Sequence, residues 1–331
     1  MEQKQLKYKP EEMLAQADEE FVEWMKNGKY NDLMKTMPTL GKYSLRNQMI
    51  ILMQNPEATN VNKMNGWNYK KRHIVKNSKP MRVVAPKFAT QVSTDAKGNV
   101  TEKTLDTVTG YEVSFVYDIT QTDGEPVKEI FADENTALEH YDVVKTALQG
   151  SVKGFEFKTH EASEDESYGV LDTLNKTISL RADLSKQDAL KTLIQQVATT
   201  NVIMRNRQYS QGLTPSDMSN IRSVEASGVT YAISKRLGLG EPSLVAPDFE
   251  GMTDKSISKF ADNVGIIRSI SQRIINAAEG AVSNELYEQA QKLAAKEQPE
   301  VKPEIADVKQ TEKKSVKRTK PMQRTKTEVA M

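Results

Sequence analysis

Large apolar residues recur at helical spacing near the start of the chain and predict two helices within residues 10–37. The first follows Pro10 and paired acidic residues, and Gly28 ends it. One side of this helix carries its apolar residues: Met13, Leu14, Phe21, Trp24 and Met25. A stripe at this spacing is usually core, so we expect the helix pair to be scaffold.

The pattern then changes from helical to strand-like. A helix follows Gly41 and ends near Pro56. Residues 74–86 and 111–118 are rich in β-branched and aromatic residues, which is typical of antiparallel strands. Turn-forming residues at 95–99 lie between them, so the sequence predicts a long, polar hairpin arm.

A shift in composition near residues 123–126 predicts a domain boundary. Beyond it the pattern predicts a helix that ends at Gly150, then short strands, then helices. The strands are expected at 155–159, 168–171 and 177–180, and the helices at 188–205, 223–239, 254–280 and 286–295. The predicted fold class is α+β, in three parts: a helix-backed antiparallel sheet in residues 1–126, a mostly helical domain in 127–296, and a disordered basic tail in 297–331.

Charge is distributed unevenly along a chain that is nearly neutral as a whole. There are 46 Lys or Arg residues against 45 Asp or Glu, yet the segment from Lys42 to Lys87 holds ten cations and one acid, Glu57. The aromatic residues interleaved with these cations are Tyr43, Trp67, Tyr69 and Phe88. Cations can follow a phosphate backbone while aromatic faces stack on unpaired bases, so the segment favours single-stranded nucleic acid. The alternative is a solvated basic face with Trp67 and Tyr43 as core anchors.

Two residues at the start of the helix after Gly41 are candidates for contacting nucleic acid. Arg46 has a planar guanidinium that can pair with a phosphate or stack on a base. The amide of Asn47 can read a base edge or a phosphate, or it can brace the neighbouring loop, and the sequence leaves both open.

The order of these motifs resembles the N-terminal domain of the ArdC and LtrC-like proteins of conjugative plasmids and transposons. There a Y-S-x-x-N helix, here within Gly41 to Gln48, precedes a tryptophan and a basic turn, here Gly66 to Arg72, and a strand ending in A-P, here Lys79 to Pro86. The stretch Tyr117 to Thr122 is similar to the closing F-D-x-x-Q-T of that domain. One departure is Lys71-Arg72-His73, where the family usually has Gly-Arg.

The resemblance implies a domain that binds single-stranded DNA, in a family linked to protecting incoming DNA from host restriction. Together with the residues themselves, it predicts a set of DNA-contacting positions. These are Tyr43, Arg46, Asn47, Trp67, Lys70, Lys71, Arg72, Lys79 and Arg82.

The helices at 188–205 and 223–239 are similar to the metallopeptidase-like domain that follows in ArdC-type proteins. There H-E-x-x-H on the first helix supplies two zinc ligands and a general base, and a glutamate on the second supplies the third ligand. On that frame this chain has Gln195 and Thr199 for the histidines, Gln196 for the catalytic glutamate, and Glu225 for the third ligand. A glutamine amide is a poor zinc ligand and cannot take a proton from water. We therefore expect no peptidase activity, no metal and no cofactor. We also hypothesise that Glu225 is hydrogen-bonded to Gln195 and Gln196 across a former metal cavity.

The remaining features concern location and the end of the chain. There are no cysteines, no apolar signal core and no apolar run long enough for a membrane, so we expect a cytoplasmic protein. From Lys313 to Lys326 there are seven Lys or Arg and no acids. Such a tail cannot form a core, and it either adds sequence-independent affinity for DNA or only improves solubility.

The leading hypothesis from sequence is a non-enzymatic single-stranded DNA-binding protein of a mobile genetic element that protects or handles transferred DNA. The alternatives are an interaction protein whose degenerate domain docks a protein partner, and, with less support, an active metallopeptidase. The sequence leaves the choice between DNA and RNA, the oligomeric state and any partner open.

Overall fold

A computed structural model of the chain describes residues 6–94, 100–131, 133–162, 167–205 and 215–297. The elements of the first part are α1 (Pro10–Lys26), α2 (Tyr30–Leu40), α3 (Leu45–Gln54), β1 (Val61–Asn62), α4 (Met64–Tyr69), β2 (Arg72–Ile74), β3 (Met81–Thr94), β4 (Val100–Asp118) and β5 (Thr122–Gly124). The two predicted N-terminal helices are confirmed. Gly28, at a φ of +68°, turns the chain between them, as a residue without a Cβ does easily.

The predicted hairpin arm is confirmed as the pair of β3 and β4. The strands run antiparallel from Met81 opposite Val116 to Thr94 opposite Val100, and the expected turn at 95–99 lies outside the described residues. The expectation of one strand over 74–86 was wrong. The chain turns between β2 and β3, where Asn77 has a φ of +69° and the Ser78 N–H donates to the Val75 carbonyl.

The elements of the second part are α5 (Glu134–Glu139), α6 (Tyr141–Gly150), β6 (Glu156–His160), β7 (Gly169–Asp172), β8 (Thr177–Arg181), α7 (Lys186–Met204), α8 (Pro215–Arg236) and α9 (Asp254–Glu297). The three short strands are confirmed and form one sheet, in which β8 pairs parallel with β6 and antiparallel with β7. The chain is therefore α+β, with antiparallel pairing in its first part and a helix-rich second part.

Two helix predictions in this part were wrong. The helix expected to end at Gly150 is interrupted at His140, whose φ of −99° and ψ of 29° end α5 and start α6. The helices expected at 254–280 and 286–295 are one helix, α9. Nothing in between breaks it, because Ala278 and Val282 continue the buried stripe at helical spacing.

A single apolar core runs through both parts. It joins buried residues of α2, α3 and β4 to buried residues of α7 and α9, among them Met34, Ile50, Val116, Leu193 and Ile267. A guanidinium N–H of Arg268 also donates to the Gly41 carbonyl at 3.2 Å.

Contacts along the chain group Met1–Glu288 into one compact unit and Gln289–Met331 into another. The domain boundary at residue 126 remains a prediction. Of the basic tail expected at 297–331, all but Glu297 lies outside the described residues. Within the described ranges, none of the helices has the length and hydropathy that crossing a membrane requires.

Candidate nucleic-acid interface and the degenerate metal positions

Trp67 is a core residue rather than a stacking surface. It lies on α4 with 0% of its surface exposed, and its Nε1–H donates to the Tyr117 carbonyl on β4 at 3.0 Å. The ring therefore has no face open to a base. The prediction that Trp67 contacts DNA was wrong for this conformation, and the alternative of a core anchor describes it.

Tyr43 and Asn47 also use their polar groups inside the protein. The Tyr43 hydroxyl donates to the Val61 carbonyl at 3.1 Å, and burial raises the pKa of Tyr43 to about 12. Asn47 holds the backbone of Val84 from both sides: its Nδ2–H donates to the carbonyl at 2.8 Å and its Oδ1 accepts from the N–H at 2.9 Å. Of the two roles left open for Asn47, bracing is the one that the geometry supports.

Two of the predicted arginines hold backbone segments together. Arg72 donates to both oxygens of Thr122 at 2.8 Å and to the Glu125 carbonyl at 2.6 Å, and so ties β2 to β5. Arg82 donates to the carbonyls of the chain that precedes α1 and stacks on the Tyr8 ring at 4.7 Å. Most of their donors are occupied, so these arginines position the surface more than they offer charge to a ligand.

Arg46 is exposed and forms a two-pronged ion pair. Its Nε lies 2.7 Å from Asp18 Oδ1 and its Nη2 lies 2.9 Å from Oδ2. The hydrogen bond that Arg46 donates to Asp18 raises the pKa of Arg46. A phosphate that binds Arg46 must therefore compete with this carboxylate.

Two exposed cations lie directly beside the most exposed aromatic side chain of the segment. Tyr69, the last residue of α4, is 91% exposed, and Lys70 and Lys71 follow it directly, both exposed. Lys71 has a φ of +55°, which turns the backbone there, and its ammonium pairs with exposed Glu125 at 3.2 Å. Lys70 lies over the edge of the buried Trp67, 5.7 Å from the ring centre.

Lys42 belongs to the same group. Its side chain is exposed, but protein atoms crowd its ammonium, and this desolvation lowers its pKa to about 8. The like charges of Lys70 and Arg236 contribute to the same shift, so Lys42 lies within electrostatic reach of Lys70. We call Lys42, Tyr69, Lys70 and Lys71 the Tyr69 cluster. Lys79, the remaining predicted position, is exposed on the loop before β3.

The sequence analysis missed a pair of aromatic residues on the hairpin. Tyr111 and Phe115 on β4 are about half exposed and lie opposite Pro86 and Arg82 of β3. Because the pairing is regular over this stretch, the two rings share one face of the ribbon. The alternation of apolar and polar positions from Tyr111 to Tyr117 is the signal that predicts it. We call Tyr111 and Phe115 the hairpin aromatic pair.

Four residues, Gln195, Gln196, Thr199 and Glu225, occupy the positions of the zinc ligands and the general base in the resembling domain, and their side chains face different parts of the protein. Gln195 and Thr199 on α7 line a cavity of about 910 Å³ between α7, α8 and residues 239–245. The Nε2–H of Gln196 donates to the Gly169 carbonyl on β7 at 3.2 Å. Glu225 is fully buried and accepts a hydrogen bond from Asn263 Nδ2 on α9 at 2.8 Å.

This arrangement contradicts the hypothesis that Glu225 meets the glutamines across a former metal cavity. The α8 residues Arg222 and Ala226 line the cavity, whereas Glu225 does not and faces α9 instead. The neutral amides and the threonine hydroxyl do not fit a zinc ion. Among the described residues there is also no group of three His, Asp or Glu side chains placed to hold a metal.

Comparisons with known proteins find solved structures that are similar to this chain, and two of them are of one protein. No protein-family model and no curated protein matches the chain. The metal-free crystal structure of the antirestriction protein ArdC from plasmid R388 is 15% identical over 73% of this chain and 86% of that chain, with a TM-score of 0.37. The Mn(II)-bound structure of the same protein is 13% identical over 82% of this chain and 97% of that chain, with a TM-score of 0.39.

Two of the solved structures that this chain is similar to are those of ArdC, a member of the group that its sequence motifs resemble.

Proposed function

We propose that the chain is a non-enzymatic protein that binds single-stranded DNA through the Tyr69 cluster. The role in a mobile genetic element, protecting or handling transferred DNA, rests on the resemblance of the motifs between Gly41 and Thr122 to ArdC and LtrC-like proteins. The contact with DNA rests on the exposed side chains of the cluster.

The observation that carries the proposal is the exposure of Tyr69 between cations. A tyrosine that is 91% exposed contributes nothing to the core, and a flat ring at this position is open to an unpaired base. Lys70, Lys71 and Lys42 supply positive charge beside it for the backbone phosphates. In duplex DNA the bases are already stacked on each other, so this combination favours single strands.

The absence of peptidase activity is part of the proposal. Gln196 is neutral and donates to the Gly169 carbonyl, so it cannot act as the base that activates water. Glu225, the one carboxylate kept from the resembling motif, is buried against α9 and away from the cavity. The residues of the second part then serve the fold and the cavity between α7 and α8.

The test is fluorescence anisotropy with a labelled single-stranded oligonucleotide and the full chain. Stacking of one base on an aromatic ring is worth roughly 1 to 3 kcal/mol, so Tyr69→Ala should weaken binding by about fivefold or more. The matched control is Tyr287→Ala, which removes another well-exposed tyrosine on α9, and it should bind as the wild type does. Equal affinity of the two variants would contradict the role of Tyr69.

The hairpin aromatic pair favours a second candidate function, the docking of a protein partner. Tyr111 and Phe115 form an exposed apolar face on the ribbon of β3 and β4. The double variant Tyr111→Ser and Phe115→Ser separates the two functions. If the double variant binds the oligonucleotide as the wild type does, the result supports a protein partner for this face. A loss of affinity comparable to that of Tyr69→Ala would make the face part of the DNA-binding surface.

A further inference from the structure

The cavity between α7 and α8 is lined mainly by polar side chains. Gln195 and Thr199 contribute from α7, and Ser223 and Thr230 from α8. Its volume of about 910 Å³ is within the range of small-molecule sites in proteins. A polar lining of this size is unfavourable for packing and favourable for a ligand that forms hydrogen bonds.

The charged residues of the lining are not balanced. Of the two acids, Glu241 pairs with Lys235 at 2.6 Å, whereas Asp188 accepts from the neutral Ser185 hydroxyl at 2.6 Å, which does not compensate its charge. The two cations of the lining, Lys191 and Arg222, have no ion pair with any residue that the structure describes. Because Lys235 compensates Glu241, two cations remain against one acid, Asp188, and the cavity has an excess of one positive charge.

Arg222 has an unsatisfied donor. Its Nε is shielded from solvent and has no hydrogen-bond partner among the described residues. A buried guanidinium N–H without a partner costs free energy. Because Nε has no exposed surface, an oxyanion in the cavity would bind the other guanidinium nitrogens of Arg222, which match two oxygens well.

The uncharged polar groups of the lining indicate the chemistry of the rest of the ligand. The Thr230 hydroxyl donates to the Ala226 carbonyl at 2.8 Å, so it presents lone pairs to the cavity. The amide of Gln195 both donates and accepts. Such a lining suits a ligand that has hydroxyl groups of its own.

We propose that this cavity binds a small phosphorylated ligand that carries hydroxyl groups, with Lys191 and Arg222 on the phosphate. Two of the positions that correspond to metal ligands in the resembling domain, Gln195 and Thr199, line this cavity, and its side-chain cations are Lys191 and Arg222. It is independent of the Tyr69 cluster and of the proposed binding of DNA.

The test is isothermal titration calorimetry of the full chain with ribose 5-phosphate, with inorganic phosphate and uncharged ribose for comparison. We expect ribose 5-phosphate to bind, inorganic phosphate to bind more weakly, and ribose not to bind. Arg222→Gln and Lys191→Gln should each weaken binding about tenfold, since each removes a charge-assisted contact. Lys153→Gln removes an exposed lysine that does not line the cavity and should bind as the wild type does.

Two results would overturn the proposal: no binding of ribose 5-phosphate to the wild type, or binding that neither variant weakens. Lys191 is exposed, so Lys191→Gln decides the matter if Arg222→Gln fails to fold. Both variants should bind the labelled oligonucleotide as the wild type does, which separates the failure of this proposal from the failure of DNA binding.

Discussion

The residues of the basic segment differ in whether their polar groups already have partners inside the protein. Asn47, Arg72 and Arg82 donate to backbone carbonyls, and the Trp67 indole N–H does so too. Tyr69 and Lys70 keep theirs at the surface. Composition and spacing predicted the segment but not this division, because whether a tryptophan is core or contact depends on the strand that packs beside it. Only the tertiary structure supplies the Tyr117 carbonyl next to Trp67.

Trp67→Ala should act on stability. Removing a fully buried indole leaves a cavity and an unpaired Tyr117 carbonyl, so we expect unfolding to become easier by about 3 to 5 kcal/mol. Urea denaturation followed by circular dichroism measures this difference. Tyr69→Ala is the control, and its free energy of unfolding should change by less than about 0.5 kcal/mol because the side chain is exposed. A Trp67→Ala variant as stable as the wild type would contradict the position given to Trp67.

The pKa of Lys42 predicts a pH dependence of DNA binding. A lysine whose pKa is about 8 is charged at neutral pH and loses its proton as the pH rises through that value. Binding of the wild type should therefore weaken between about pH 7 and about pH 9, where an ordinary lysine stays charged. In Lys42→Gln the same interval should show a flatter profile, measured by anisotropy at constant ionic strength. Parallel profiles would show that Lys42 does not face the DNA.

At the scale of elements, the short strands β2 and β5 set the shape of the Tyr69 cluster. Arg72 of β2 lies opposite Gly124 of β5, and the Lys71 carbonyl lies directly beside Gly124. Gly124 has a φ of +132°, and a Cβ there would be 2.4 Å from that carbonyl oxygen. The basic turn can therefore keep its conformation only if position 124 has no side chain.

Gly124→Ala should both destabilise the protein and weaken DNA binding. The strained backbone and the close contact cost on the order of 1 to 3 kcal/mol, and relief requires a shift of Lys71. Gly265→Ala is a control of opposite sign. Its Cβ meets nothing within 4 Å on α9, so the helix should become more stable by about 0.5 to 1 kcal/mol. Melting temperatures of the two variants that move in the same direction would contradict this account.

The periodicity of apolar residues predicted most helices and strands. It was wrong where tertiary packing decides whether a helix is interrupted or continues. The hairpin and the strands at 156–181 follow from residue type alone. The interruption at His140 does not, because its Nδ1 lies 2.7 Å from Glu285 Oε2, a contact across 145 positions of sequence. For the same reason the partner of Glu225 on α9 was not predictable from the spacing on α7 and α8.

At the scale of the whole molecule, the two predicted domains share their core. Buried residues of α2 pack with those of α8 and α9, and Lys26 of α1 pairs with Asp254 at the start of α9. Separating residues 1–126 from the rest of the chain would expose apolar side chains on both parts. The basic segment from Lys42 to Lys87 therefore depends on the helices that follow it.

We expect the full chain to unfold in one cooperative transition. A continuous core has no plane along which one part can melt alone, so the calorimetric and van't Hoff enthalpies of the main transition should agree. Differential scanning calorimetry measures both. Two separated transitions would support independent domains with a boundary near residue 126.

The most direct test of the central claim is the salt dependence of oligonucleotide binding to the full chain, with an unlabelled duplex as competitor. The account predicts that single-strand affinity falls as salt rises and resists the duplex, because cations and an exposed ring act together. Lys70→Gln with Lys71→Gln should reduce the slope of log affinity against log salt by about one to two. Binding that is insensitive to salt, or that the duplex removes as well as a single strand does, would contradict the assignment of the Tyr69 cluster to single-stranded DNA.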